Sequence, residues 1–326
     1  MANAVLTSFP AILRNSDLEE HELKLQWKLR IQRKFQNSRK RQDSFVKEVA
    51  ARKKKKAPHV EAEETEHPPK PHSENVDSVK IYRQWLALEW LKRDPDLDKV
   101  EDLMQLTLSE RRNQITNGDI SVPEIINLYP WIQSFDGIIN EFLRLELHTD
   151  EPDPRIAILQ GLEKYKLPVT SLLKKRRAVP HYMKTLLELY EHNESEYDCL
   201  VTLGLLHLLG ERKDSIFTQV PEGELRTRQS SISIQHVGDI HESDRFCILL
   251  DGVPVAEPAC IAMAVASFVA GHFVFHIDHP KNCEHFLSFA SSYLLGIKDG
   301  RETTSKSRTL VVKLNEEQTK FSYSNT

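Results

Sequence analysis

The stretch FCILLDGVPVAEPACIAMAVASFVAGHFVFHI, residues 246–277, decides how this chain folds. Its first part alternates in β fashion, with Phe246, Ile248 and Leu250 at every second position before an Asp251-Gly252 turn. Ile232 and Ile234 show the same period just upstream, so a short β-hairpin or ribbon is predicted. Glu257-Pro258 then opens a helix that Asp278-His279-Pro280 ends. Residues 259–277 contain no Asp, Glu, Lys or Arg, which is just long enough to cross a bilayer. The run is rich in weakly apolar Ala, holds His272 and His276, and has no closely flanking basic cluster. A helix buried on most sides in a soluble core explains it better, and no membrane partner is expected.

Downstream, Phe286, Leu287, Ala290, Tyr293 and Leu294 predict a last amphipathic helix, closing a small α+β unit over residues 232–297. The tail, residues 298–326, is polar apart from Leu310 to Leu314, read as an edge strand or a loose segment.

Upstream, residues 79–219 read as helical. Val79, Tyr82, Leu86 and Trp90 make one stripe that stops at Asp94-Pro95, and Leu97, Val100, Met104 and Leu108 make the next. Ser121-Val122-Pro123-Glu124 is a capping box opening a short helix that ends before Pro130. Phe135, Ile138, Ile139 and Phe142 follow. Asp153-Pro154 begins a further helix through Leu159, Leu162 and Tyr165, which Pro168 is expected to interrupt. Met183 to Tyr190, and Tyr197 to Leu208 before Gly210, complete the region.

The amino-terminal part differs in kind. Residues 16–56 contain neither Gly nor Pro, and Leu23, Trp27, Ile31 and Phe35 recur every fourth position, so residues 1–56 read as a basic helical arm. Residues 57–78 place Pro58, Pro68, Pro69 and Pro71 among Glu61, Glu63, Glu64 and Glu66, the composition of a disordered linker. The predicted fold class is thus mainly α, with a small α+β carboxy-terminal unit behind the arm and linker. The net charge of -4 averages this basic head against acidic stretches, and only the local charges bear on partners.

These segments resemble a vertebrate family, expanded in fishes, whose members are labelled sterile-alpha-motif-domain-containing. The basic helix Arg30-Ile31-Gln32-Arg33-Lys34-Phe35-Gln36-Asn37-Ser38-Arg39-Lys40, Leu103-Met104 with Arg111-Arg112, Ile125 through Trp131, and Phe135 to Leu145 carry the likeness. Phe246 to Val253 is similar to the family's strand and turn, and Asp278-His279-Pro280-Lys281 stands where members show a tyrosine in place of His279. No intact sterile alpha motif is read in the chain, so polymer formation through that domain is not carried over. The resemblance implies no activity.

The strongest local signal is Lys40-Arg41, ten intervening residues, then Arg52-Lys53-Lys54-Lys55-Lys56, the spacing of a two-cluster nuclear-import signal read by an acidic receptor groove. Arg30, Arg33, Lys34 and Arg39 are candidate phosphate contacts, making non-specific nucleic acid a candidate partner beside the import receptor and a further, unidentified protein. Lys174-Lys175-Arg176-Arg177 is a second basic patch, more readily explained by the favourable field at a helix carboxy terminus.

His272, His276, His279, His285 and Cys283 are the cluster nearest to a metal set, since i, i+4 spacing places His272 and His276 on one helix face. A dedicated zinc site shows two tightly spaced ligand pairs, so neutral, hydrogen-bonded burial is expected and no metal or other cofactor is assigned. His241, Glu242 and Asp244 read as an ordinary polar turn. Cys199, Cys247, Cys260 and Cys283 show no C-x-x-C spacing, which points to a reducing compartment. Phosphate-loop, dinucleotide and nucleophile-elbow motifs are absent, and the expectation is a nuclear, non-enzymatic interaction protein. A cytoplasmic scaffold whose arm pairs with a partner helix is the alternative.

Overall fold

The computed structural model describes residues 76–147, 153–192, 197–225, 232–297 and 303–324. The arm, with its import clusters and phosphate-contact candidates, and nearly all of the linker lie outside the described residues. The chain divides into two compact units, Met1–Thr107 and Leu108–Thr326.

In the first unit, α1 (Val76–Glu89) and α2 (Leu97–Leu106) pack together. The buried Glu89 carboxylate accepts from Asp96 N at 2.7 Å and pairs with Lys92 at 2.6 Å, closing the connection between them. Those hydrogen bonds, the Asp96 amide first, hold Glu89 below the usual carboxylate range. Asp96 in turn caps α2 by accepting from Lys99 N.

The second unit is mainly helical, with a four-stranded sheet in its carboxy-terminal half. It runs α3 (Leu108–Thr116), α4 (Val122–Leu128), α5 (Phe135–Leu143), α6 (Pro154–Lys174), α7 (His181–His192), α8 (Tyr197–Leu209), β1 (Phe217–Val220), β2 (Ile232–Val237), β3 (Phe246–Leu250), β4 (Val253–Ala256), α9 (Ile261–Val274), α10 (Glu284–Phe289) and α11 (Ser305–Ser324). A π-helical turn, Ala290–Leu294, continues α10.

The core is built around α9. Every residue of that helix except Met263 is buried; its polar side chains Ser267 and His272 each bond a carbonyl one turn back, at 2.8 and 2.7 Å, and the helix packs against α5, α6, α8 and β3. No described helix is long and apolar enough to cross a membrane. Across its carboxy end, Phe273 meets Phe142 of α5 edge to face, with centroids 5.9 Å apart.

β2 pairs antiparallel with β3, setting Ile232 opposite Leu250 and Ile234 opposite Ile248. Asp251 and Gly252 both have positive φ, the two-residue geometry that matches strand twist in a tight hairpin, and they join β3 to β4.

Three expectations are corrected. Residues Phe217–Val220 end the helical region as a strand, β1, lying parallel to β2 and adding an edge to the predicted ribbon. Pro168 does not interrupt its helix: α6 runs unbroken from Pro154 to Lys174 with Pro168 buried inside it. Packing against α8, α9 and α11 outweighs the lost amide and the ring's steric conflict. Leu310 to Leu314 form neither an edge strand nor a loose segment. They lie in α11, whose buried positions Ser307, Leu310, Leu314 and Glu317 recur at helical spacing against α6, α8 and α10.

Candidate functional site

Two sets of cations emerge from the fold, and they have different surroundings. The first is sealed. Arg111 on α3 is fully buried; its Nε and Nη2 donate to Oε1 and Oε2 of Glu141 on α5 at 2.7 and 2.8 Å. Arg144 adds a 3.0 Å bond to the same carboxylate, and the Arg111 guanidinium lies 4.6 Å from the Tyr129 ring centre. The planar fork of Arg matches the carboxylate in two bonds, which fixes α3 against α5.

Next to it, Arg112 donates to the carbonyls of Phe273 and Val274 at 2.8 and 3.3 Å, capping the carboxy end of α9 with a cation. Gln133 likewise donates to Pro254 O at 2.8 Å. The polar side chains of this segment therefore hold backbone. At α4, Glu124 accepts from Ser121 N at 3.0 Å and from its hydroxyl at 2.8 Å.

The second set is open. Where the carboxy ends of α6 and α8 meet the start of α11, a half-open cavity of about 430 Å³ is floored by Leu172, Leu209 and Leu310 and rimmed by Lys175, Arg176, Lys306 and Lys313. The lower rim is anchored. Glu317 of α11 receives the Lys175 ammonium, the Ser171 hydroxyl at 2.6 Å and Lys320 at 2.6 Å. These donors, Lys175 first, hold its carboxyl down to about 2.

Arg176 is fixed differently. Its guanidinium reaches the carbonyls of His207 and Leu208, both at 3.4 Å, at the end of α8. Burial first, then this guanidinium, keeps His207 below its ordinary value, so its ring adds no charge near neutral pH. The 174–177 patch follows the carboxy end of α6, but its side chains turn elsewhere: Arg176 serves the end of α8, Lys174 pairs with Glu191 at 2.5 Å, and Lys175 turns to α11. Among the described residues, no carboxylate lies within ion-pair distance of Arg176, Lys306 or Lys313.

Lys306 and Lys313 are not among the candidates the sequence offers, because Leu310 to Leu314 read there as an edge strand or a loose segment. The absence of Gly and Pro after Gly300, and the i, i+4 pair Leu310 and Leu314, were the signals that would have found the helix.

Of the histidine cluster, His272 and His279 are brought together. His272 is buried, with Nδ1 donating to Phe268 O at 2.7 Å and its ring centre 5.7 Å from that of His279. His276 is exposed with a positive φ just beyond α9. The amides of His285 and Phe286 are capped by Glu211, at 2.8 and 3.0 Å. Burial, with Glu211 and Glu284 nearby, pushes the Cys283 thiol up to about 12, so it keeps its proton. Among the described residues, no group of three or more His, Cys, Asp or Glu side chains is placed to hold a metal ion. His241 and Glu242 stand 3.7 Å apart in the turn before β3.

Residues 80–134 match the family model described as "Sterile alpha motif domain-containing protein 3, helical domain". The matched stretch takes in most of α1, all of α2, α3 and α4, and the buried Arg111. No curated protein and no solved structure matches the chain.

Proposed function

We propose that this chain is a non-enzymatic nuclear interaction protein, related to the vertebrate sterile-alpha-motif-domain-containing family that its sequence resembles. Its arm serves import, with Arg30, Arg33, Lys34 and Arg39 as phosphate contacts, and its folded region binds a protein partner. The observation that carries this reading is the spacing of Lys40-Arg41 and Arg52 through Lys56, two basic clusters set to meet an acidic receptor groove. The open rim of Arg176, Lys306 and Lys313 supports the binding half, since it gathers three cations with no carboxylate of the described residues within ion-pair distance of them.

A second reading rests on Leu23, Trp27, Ile31 and Phe35, an apolar stripe at helical spacing that suits a cytoplasmic scaffold pairing its arm with a partner helix. Fluorescent fusions separate the two. The intact chain is expected in the nucleus, and a variant with Arg52, Lys53, Lys54, Lys55 and Lys56 all changed to alanine in the cytoplasm; equal distribution of the two sinks the import reading. With the same two proteins, duplex binding that does not weaken as salt rises would remove the phosphate contacts.

A further inference from the structure

The cavity between α6, α8 and α11 combines features that each narrow what fits it. Its volume of about 430 Å³ lies within the usual range of ligand sites, roughly 300–1,000 Å³, and its mouth is open, so it admits a side chain with flanking backbone. The floor is aliphatic, formed by Leu172, Leu209 and Leu310, and among the described residues no aromatic ring lines it. A nucleobase would find nothing to stack on, whereas an aliphatic side chain would bury its surface there.

The rim is cationic from three sides. Lys306 and Lys313, two helical turns apart, project from one face of α11, and the amino end of that helix adds its own positive field. Arg176 reaches the carbonyls that end α8 at 3.4 Å, which biases its guanidinium toward the rim before anything binds. Lys175 contributes less, because Glu317 already meets it. Glu211, near Lys306, is turned to the amides of His285 and Phe286. Three like charges beside an apolar floor call for an anionic ligand with an aliphatic body.

We propose that this pocket binds an acidic peptide segment of a partner protein, seating an aliphatic side chain on Leu172, Leu209 and Leu310 while flanking carboxylates meet Arg176, Lys306 and Lys313. The proposal deepens the reading of the folded region as a protein-binding module and rests on it.

The test uses the full chain and a Lys306→Glu/Lys313→Glu variant. Both lysines are exposed, and an acid in the first turn of α11 is favoured by the helix field, so the variant should fold, as a thermal melt will verify. A displayed library of random peptides is selected on the native protein. Enriched peptides are expected to place Asp or Glu beside Leu, Ile or Val. A synthetic peptide from that set should lose about tenfold or more in affinity on the variant, and on change of its acids to amides.

Peptides that bind both proteins equally overturn the pocket while leaving a protein-binding body in place. Displacement by inorganic phosphate at matched charge, or by a single-stranded oligonucleotide, overturns it in favour of a simple anion site or a nucleic-acid site. A selection that enriches nothing also overturns it, and the nuclear reading then stands or falls on the fusion distributions alone.

Discussion

Arg111 and Arg176 are the same side chain in two settings, and the contrast shows what decides the role of a cation in this fold. Arg111 faces Glu141 across two helices and is sealed with it from water. Arg176 sits at the junction of three helix ends, bound among the described residues to carbonyls and the His207 imidazole, beside two lysines with no described carboxylate in ion-pair distance. The first arrangement holds helices in register. The second leaves its charge available to a ligand. Placement of carboxylates, rather than number of cations, separates the two.

The sharpest way to break this comparison is Glu141→Ala. It leaves the Arg111 guanidinium buried without its bidentate partner, and a loss of about 3–5 kcal/mol is expected in urea unfolding. A loss under about 1 kcal/mol would mean that water reaches the pair and that the two settings do not differ.

Glu317→Gln probes the boundary between them, since Glu317 is the carboxylate that withdraws Lys175 from the rim. A loss of about 1 kcal/mol is expected at neutral pH. Glu317 is held below its unfolded value, so its contribution is complete above about 4.5 and fades as pH falls towards about 2. The variant should lack that part of the acid-destabilisation curve, and an unchanged curve would show that other carboxylates account for it. The smallest effect belongs to Lys306→Glu/Lys313→Glu, whose stability should stay within about 0.5 kcal/mol of native, as read by thermal unfolding. A large loss would show those lysines to be structural after all.

Much of the fold was legible because its signals are local. The charge-free run of α9, the Asp251-Gly252 turn, the Ser121-to-Glu124 box and the Asp153-Pro154 start each lie within a few residues. What escaped depends on distant partners. β1 is four residues long and becomes a strand only because β2 lies parallel to it. Pro168 stays helical because three other helices pack on α6. α11 buries Ser307 and Glu317 along with Leu310 and Leu314, so its apolar stripe is too brief to announce a helix, and Val311 and Val312 add a β-like accent.

The same reason hid both cation sites. Arg111 and Glu141 are thirty residues apart, and the rim of the pocket joins position 176 to positions 306 and 313. Neither pairing has a local pattern. The import clusters show the opposite case: they are plain in the sequence and lie outside the described residues.

The position of α9 also bears on the order in which the chain acquires structure. Helices α5, α6 and α8 turn apolar faces toward a partner that is synthesised after all of them, and Arg112 must wait for carbonyls 161 residues downstream. Such long-range closure slows folding, because chain entropy is lost before the contacts that reward it can form. On the ribosome, the half-made molecule therefore carries uncovered helix faces until residue 274 has emerged. That interval is when the nascent chain is most exposed to aggregation and most in need of a chaperone's shelter.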